Sequence, residues 1–170
     1  MSLSLIALLV VFPAIMAYAA ASDLFTMTIS NQLCLALIAT FAACALLLGL
    51  PWSQIGWHLA SGGLMLVLCF GLFAAGWIGG GDAKLAAATA LWFGFDQLMP
   101  YLLLSALCGG VLTLLLLKLR AGPLPRRAAG WAWARRLHAA DRGVPYGVAL
   151  AFAALVILPD TAIWRAAVVG

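Results

Sequence analysis

The amino-acid sequence predicts an all-α polytopic membrane protein with six transmembrane helices, and three observations support this fold class. Hydrophobic residues make up 66% of the 170 residues, whereas charged residues make up only 8%. A soluble domain usually carries about 25% charged residues, because its surface faces water. The apolar residues also form runs close to the roughly 20 residues that a helix needs to cross a bilayer.

Six apolar runs are long enough to be spans. They cover approximately Leu3–Ser22, Leu33–Leu50, Gly56–Ile78, Ala83–Met99, Tyr101–Leu117 and Val144–Trp164. The fourth and fifth runs are nearly continuous, but one helix over residues 83–118 would be about 54 Å long, well beyond a ~30 Å bilayer core. Asp96, Gln97 and Pro100 therefore predict a polar turn between two spans.

The first run could instead be a cleaved signal peptide, because Ala17-Tyr18-Ala19 fits the usual cleavage pattern. No Lys or Arg precedes the run, however, and it is longer than the apolar region of most signal peptides. We therefore expect it to be a retained span. The whole chain, residues 1–170, is predicted to form a single membrane-embedded domain.

A basic loop at residues 118–143 is the only sizeable polar segment. Pro123 and Pro125 break any helix that continues from the fifth span. The following residues mix arginines with Trp131 and Trp133, which is typical of a short helix lying among lipid headgroups. A docking surface for a partner protein is the alternative interpretation of this loop.

The distribution of basic residues predicts the orientation. With six spans, both termini lie on one side, and eight of the nine Lys and Arg residues lie on the other. They are Lys84, Lys118, Arg120, Arg126, Arg127, Arg135, Arg136 and Arg142. The positive-inside rule places that side in the cytoplasm and both termini outside. Because these charges lie beside apolar spans, they indicate a membrane surface rather than a nucleic-acid partner.

Two of the five aspartates, Asp23 and Asp82, fall at the cytoplasmic ends of predicted spans. Each has an ordinary explanation on its own: Asp82 could cap the helix that follows Gly79-Gly80-Gly81, and Asp23 could belong to a polar membrane loop. At the same depth, however, the two carboxyls can form a pair. Close carboxyls cannot both ionise, so the pair shares one proton and can catalyse hydrolysis by general acid and base.

Metal chemistry is not indicated by the sequence. The four cysteines form no CxxC pair, and they are expected to be buried as small apolar residues. His58 and His138 lie on opposite sides of the predicted bundle. We therefore expect no metal and no cofactor.

Three segments together resemble the type IV prepilin peptidases, which are aspartic membrane proteases. The first is Gly79-Gly80-Gly81-Asp82, which matches the GxGD signature of that family. In the second, Asp23 is followed after five residues by Ile29-Ser30-Asn31, where the family has Ile-Pro-Asn, so Ser30 replaces a proline. The third is Val144-Pro145-Tyr146-Gly147, similar to the Pro-Tyr-Gly segment that opens the last helix of the family.

The resemblance implies a bacterial inner-membrane endopeptidase with Asp23 and Asp82 as catalytic residues. The residues that it implies shape the site or bind substrate are Gly79, Gly80, Gly81, Lys84, Asn31, Pro145, Tyr146 and Gly147. The implied substrate is a prepilin with a basic leader, a glycine before the cut and a hydrophobic helix behind it. The chain lacks the cysteine-rich segment of longer members, so it resembles the short type of Flp pilus systems. Membrane lipids and pilus assembly machinery are the other implied partners.

Three other classes of membrane protein remain open at this point. A proton-coupled transporter would place ionisable groups near the bilayer midplane. A structural subunit of a pilus or secretion machine would not need two paired aspartates. A presenilin-type protease would pair GxGD with a Tyr-Asp dipeptide, which this sequence does not contain.

Overall fold

The computed structural model of the chain describes residues 10–169, and this part contains helices and no β-strand. The helices are α1 (Phe12–Thr26), α2 (Asn31–Leu47), α3 (Trp52–Ala74), α4 (Gly80–Arg120), α5 (Ala132–His138), α6 (Tyr146–Ile157) and α7 (Ala162–Val169). A 3-10 turn at Leu158–Asp160 separates the last two. The all-α prediction is confirmed for the described residues. The start of the predicted first span, and with it the question of cleavage, lies partly outside them.

Helix α4 consists of two arms joined at Gly94. This residue has φ 60° and ψ −170°, a left-handed conformation that only glycine adopts readily. The break frees carbonyl groups in the last turn of the first arm. Two side chains from α3 bind them: His58 Nδ1 lies 2.8 Å from the Leu91 oxygen, and Ser61 donates to the Ala90 oxygen at 3.2 Å.

The predicted position of this turn is wrong by a few residues. Asp96, Gln97 and Pro100 are helical and belong to the second arm, so the chain turns before them, at Gly94. The prediction of two separate helical segments was correct. One straight helix of this length would hold its ends about 60 Å apart. Instead, both ends of α4 lie near the start of α6. Arg120 at the end of α4 donates to the Gly143 oxygen, and Ile29 packs against both Gly81 at the start of α4 and Gly147 of α6.

Trp92 ties together the first two helices and α4. Its indole nitrogen donates to the Leu37 oxygen at 3.0 Å. The rings of Phe12 and Phe41 pack against it, with centroids at 4.8 Å and 5.9 Å. Because the buried indole N–H has a hydrogen-bond partner, packing Trp92 into the aromatic cluster leaves no unpaired polar group on its side chain.

The outward faces of the bundle are strongly apolar. Large side chains on α3 remain exposed, including Val67 and Phe70, and so do many on the second arm of α4. Such contiguous apolar surface is rare on proteins that face water. Two helices, α3 and α4, are long and apolar enough to cross a membrane, and α2 and the segment Tyr146–Asp160 are apolar but shorter. These findings support a membrane protein, and the arrangement of six spans stays a prediction.

Several helix ends differ from the predicted spans. Helix α1 continues to Thr26, so Asp23 lies in its last turn, and Met27 ends it in a left-handed conformation. Helix α4 begins at Gly80, so Asp82 lies in its first turn and is not the N-cap residue. Pro159 lies in the 3-10 turn that ends α6, within the predicted sixth span. Apolar runs mark where lipid can surround a helix, and they do not mark where its hydrogen bonds stop.

Candidate active site

Asp23 is held by the beginning of helix α6. Its carboxylate oxygen Oδ2 accepts a hydrogen bond from the Gly147 backbone N–H at 2.7 Å. Gly147 lies in the first turn of α6, where backbone N–H groups have no partner within the helix. The positive end of the helix dipole also favours a negative charge at this place. The Pro-Tyr-Gly segment thus supplies a binding site for the ionised form of Asp23.

Asp82 faces the same cavity from helix α4. The cavity has a volume of about 230 Å³, and glycine backbone forms much of its wall. Its lining residues are Asp23, Met27, Thr28, Ile29, Gly79, Gly80, Gly81 and Asp82. The Asp82 oxygen Oδ1 is buried and has no hydrogen-bond partner among residues 10–169. The structure therefore brings together the two aspartates that the sequence predicted as a pair.

Both carboxyls lie just outside the predicted apolar spans, and both are harder to ionise than usual. Burial raises the pKa of Asp23, and the Gly147 N–H partly offsets that rise. Burial and, second, the charge of Asp23 raise the pKa of Asp82 to about 7, against a smaller opposing effect of Gly147. Asp82 is thus the member of the pair that is protonated more readily. The observable titrations belong to the coupled pair.

Glycines allow the chain segments to meet closely at this cavity. A Cβ atom on Gly147 would lie 2.8 Å from Asp23 Oδ2 and 2.7 Å from Ile29 Cδ1. A Cβ atom on Gly81 would lie 3.1 Å from Ile29 Cβ, and one on Gly79 would lie 3.0 Å from Asp82 Oδ2. Real Cβ atoms essentially never come within 3.0 Å of such neighbours. A Cβ atom on Gly147 would therefore force Asp23 and Ile29 to move, whereas one on Gly79 or Gly81 would require its neighbour to shift by a few tenths of an ångström.

Lys84 and Asn31 come together, but they do not line the aspartate cavity. The Lys84 ammonium donates to the Asn31 side-chain oxygen at 2.8 Å. Both residues instead line a second, larger cavity of about 490 Å³ between α2, α3 and α4. The structure thus places these two residues outside the aspartate cavity, and their role in shaping the site or binding substrate stays a prediction.

The remaining predicted residues support the site from the side of α6. Pro145 is buried and caps the start of α6. The Tyr146 hydroxyl donates to the Ser105 oxygen on the second arm of α4 at 3.2 Å. Its ring occupies the space that a side chain on Gly109 would need. Tyr146 does not line the aspartate cavity; its ring and hydroxyl contact the second arm of α4.

Sequence reasoning missed two contributors to the site. Ile29 packs between Gly81 and Gly147, and it could have been found because it belongs to the Asp23 motif. Arg136 of α5 donates to the Phe25 oxygen at 2.8 Å, two residues after Asp23. Nothing in the sequence signals this contact across more than a hundred residues. The side chain of Trp133 packs edge-on against Phe25 at 5.6 Å, so α5 is fixed to the end of α1.

The described residues contain no group of three or more His, Cys, Asp or Glu that could hold a metal ion. Cys34, Cys44 and Cys69 are buried, and Cys108 is half-buried. His58 is engaged with the Leu91 oxygen. The chemistry available at the cavity is therefore that of two carboxyls, one favoured as carboxylate and one as acid.

A comparison with protein families decides the class of the chain. The model of the type IV leader peptidase family matches residues 10–114, which is more than half of the chain. The chain belongs to the type IV leader peptidase family. The matched region contains both Asp23 and Asp82. No curated protein and no solved structure gives a significant match to this leader peptidase homologue.

Membership in this family confirms the resemblance drawn from the three segments. It makes a leader-peptidase type of protease the coarse function of the chain. Together with the two helices of spanning length, it indicates a membrane protein. The third segment, around Pro145 to Gly147, lies beyond the matched region, and the hydrogen bond from Gly147 to Asp23 links it to the site.

Proposed function

We propose that this leader peptidase homologue is an intramembrane aspartic endopeptidase that removes the basic leader from Flp-type prepilins at the cytoplasmic membrane face. The observation that carries the proposal is the pair of aspartates in one glycine-walled cavity. Their environments differ, because the α6 N-terminus binds Asp23, whereas burial raises the pKa of Asp82 to about 7. Hydrolysis by general acid and base needs two carboxyls with different pKa values, so that one acts as the base and the other as the acid.

The reaction uses the two aspartates in complementary roles. Asp23, as carboxylate, removes a proton from a water molecule, and that water attacks the carbonyl carbon of the scissile peptide. Asp82, as acid, donates a hydrogen bond to the carbonyl oxygen and stabilises the negative charge that develops there. When the tetrahedral intermediate collapses, the C–N bond breaks and the leaving amine takes up a proton from the pair. Water and two carboxyls suffice, so no covalent intermediate forms.

The substrate reaches the cavity across glycine backbone. Gly79, Gly80 and Gly81 leave room for an extended peptide to lie close to Asp82. A glycine before the cut would fit this narrow cavity of about 230 Å³ better than a larger residue. The same reasoning favours a leader that approaches from the membrane surface, where both aspartates are expected.

The proposed arrangement in the bacterial inner membrane has six spans, with both termini outside and the active site facing the cytoplasm. The positive-inside rule supports it, because the basic loop would lie on the same side as the aspartates. The contact of Arg136 with the Phe25 oxygen is consistent with a loop at the Asp23 end of the bundle. The peptidase family and the paired carboxyls favour this function over a transporter or a structural subunit.

The experiment that tests this function measures removal of the prepilin leader in cells. Asp23→Asn and Asp82→Asn should each abolish processing while the protein still accumulates in the membrane. Asp96→Asn and Asp160→Asn are matched controls, because both residues are exposed and lie away from the cavity. Substantial processing by a stably inserted Asp23 or Asp82 variant would refute the proposal.

A further inference from the structure

The second cavity is an apolar groove with a regular construction. Its lining consists of one stripe from each of three helices: Asn31, Cys34, Leu35 and Ile38 from α2; Leu59, Gly62, Gly63 and Leu66 from α3; and Lys84, Ala87, Ala88 and Leu91 from α4. Each stripe has the spacing i, i+3, i+4, i+7, which is one face of a helix over two turns. The groove therefore runs parallel to the three helices for about 10 Å.

The floor and the walls of this groove differ in character. Ala87, Ala88 and Leu91 are buried and form a flat floor on α4. The walls are larger apolar side chains that stay exposed, such as Leu35 on α2 and Leu66 on α3. Small residues on a floor let the backbone of another helix approach closely within a membrane. The shape and spacing fit an apolar helix lying lengthwise.

The groove lies beside the aspartate cavity, on the other side of the beginning of α4. Its only polar lining residues, Asn31 and Lys84, lie at the end where α2 and α4 both begin. Lys84 follows Asp82 by two residues, so the two side chains point about 200° apart on α4. The beginning of α4 thus separates the two cavities, and it consists of Gly79, Gly80 and Gly81.

These glycines carry no side chain that a peptide would have to clear in passing between the cavities, although Phe73 packs against Gly80 and Ile29 against Gly81. A peptide that crosses the start of α4 must span about 10 Å, the diameter of a helix, which takes roughly three extended residues. A substrate with its scissile bond at Asp82 would therefore enter the groove a few residues after the cut. In the substrate class proposed above, that is where the hydrophobic helix begins.

We propose that this groove binds the apolar helix of the substrate, so that three extended residues over Gly79–Gly81 connect the cut to the docked helix. The inference rests on the proposed function. It adds that substrate recognition after the cut occurs on the α2–α3–α4 face, with Lys84 and Asn31 at the membrane surface where the substrate crosses.

Photo-crosslinking tests the occupant of the groove directly. A photoreactive amino acid is placed at Leu66 or, as the matched control, at Val67 in the Asp82→Asn background. Both side chains are exposed on the same helix at nearly the same depth, but only Leu66 lines the groove. The substrate prepilin should crosslink to position 66 and not to position 67. Crosslinks to lipid alone, or equal crosslinking at both positions, would overturn the proposal.

Filling the groove gives a second, kinetic test. At Gly63 no described atom lies within 4 Å of an added Cβ, so Gly63→Leu projects into the groove without disturbing the bundle. Gly71→Leu is the control, because Gly71 is equally open on the same helix and does not line the groove. We expect the KM for the full prepilin to rise about tenfold or more with Gly63→Leu. The added leucine would prevent about one leucine-sized side chain of the substrate from being buried in the groove. The KM should stay unchanged with Gly71→Leu.

The two tests separate this inference from the proposed function. If wild-type protein cleaves no prepilin, the proposed function is wrong, whereas crosslinking at position 66 still reports whether a prepilin binds there. If the wild type cleaves but crosslinking is equal at both positions, only the groove proposal is wrong. An unchanged KM in a well-folded Gly63→Leu variant would likewise contradict the groove alone.

Discussion

Replacing Gly147 with alanine perturbs the backbone hydrogen bond that holds Asp23. The added Cβ would lie 2.8 Å from Asp23 Oδ2 and 3.1 Å from Asp23 Cβ. Non-bonded carbon atoms prefer separations of about 3.5–4.0 Å, so Asp23 must withdraw by roughly 0.5–1 Å. The hydrogen bond from the Gly147 N–H, now 2.7 Å, would lengthen with that movement.

The size of the effect follows from this displacement. A hydrogen bond to a charged group contributes about 1.5–3 kcal/mol, and a misplacement of about 1 Å in an active site costs on the order of a hundredfold in rate. We therefore expect kcat to fall about a hundredfold in Gly147→Ala. The KM should change little, because the groove and the glycines of α4 are untouched.

The assay is single-turnover cleavage of a purified prepilin by purified protein in proteoliposomes. Gly110→Ala is the matched control, because no described atom lies within 4 Å of its added Cβ. Thermal unfolding of both variants shows whether the helices still pack. A folded Gly147→Ala protein with activity within a few fold of wild type would refute the role assigned to the α6 N-terminus.

Three further predictions test other parts of the account. Cleavage should fall as the pH rises above about 7, because Asp82 then loses the proton it must donate, and should fall again in acid when Asp23 is protonated; a pH-independent kcat would contradict the two roles. Arg136→Gln should lower kcat about three- to tenfold, because the end of α1 loses its contact with α5, whereas Arg142→Gln should leave kcat unchanged. Equal effects of the two changes would show that α5 does not support the site. A cysteine at position 128 should react with an impermeant thiol reagent only from the cytoplasmic side and one at position 53 only from outside; the reverse pattern would overturn the orientation.

The pairing of Asp23 with Asp82 could be predicted because three kinds of information agree on it. The scarcity of acids singles out the two aspartates, the motif spacing matches the family, and the distribution of basic residues predicts that both lie at one membrane surface. The contribution of Gly147 was predictable only as part of a motif. Its physical reason, a free N–H in the first turn of α6, requires the helix to start at Tyr146, and an apolar run does not fix that residue.

Other features could not be predicted because they depend on contacts between distant helices. The break at Gly94 is stabilised by His58 and Ser61 from α3, whereas the polar residues after it gave a stronger but misleading turn signal. Lys84 and Asn31 lie more than fifty residues apart, and only the packing of α2 on α4 shows that they line the groove. Local sequence patterns carry no information about which helix faces meet.

The central claim is that Asp23 and Asp82 work as one catalytic unit, and single-turnover cleavage by three variants tests it most directly. Asp23→Asn, Asp82→Asn and the double variant are compared with the wild type in the same proteoliposomes. Residues that act as a unit have strongly non-additive effects, so each single variant should be as inactive as the double. If each single change left measurable cleavage and the two losses multiplied in the double variant, the aspartates would act independently and the account would be wrong.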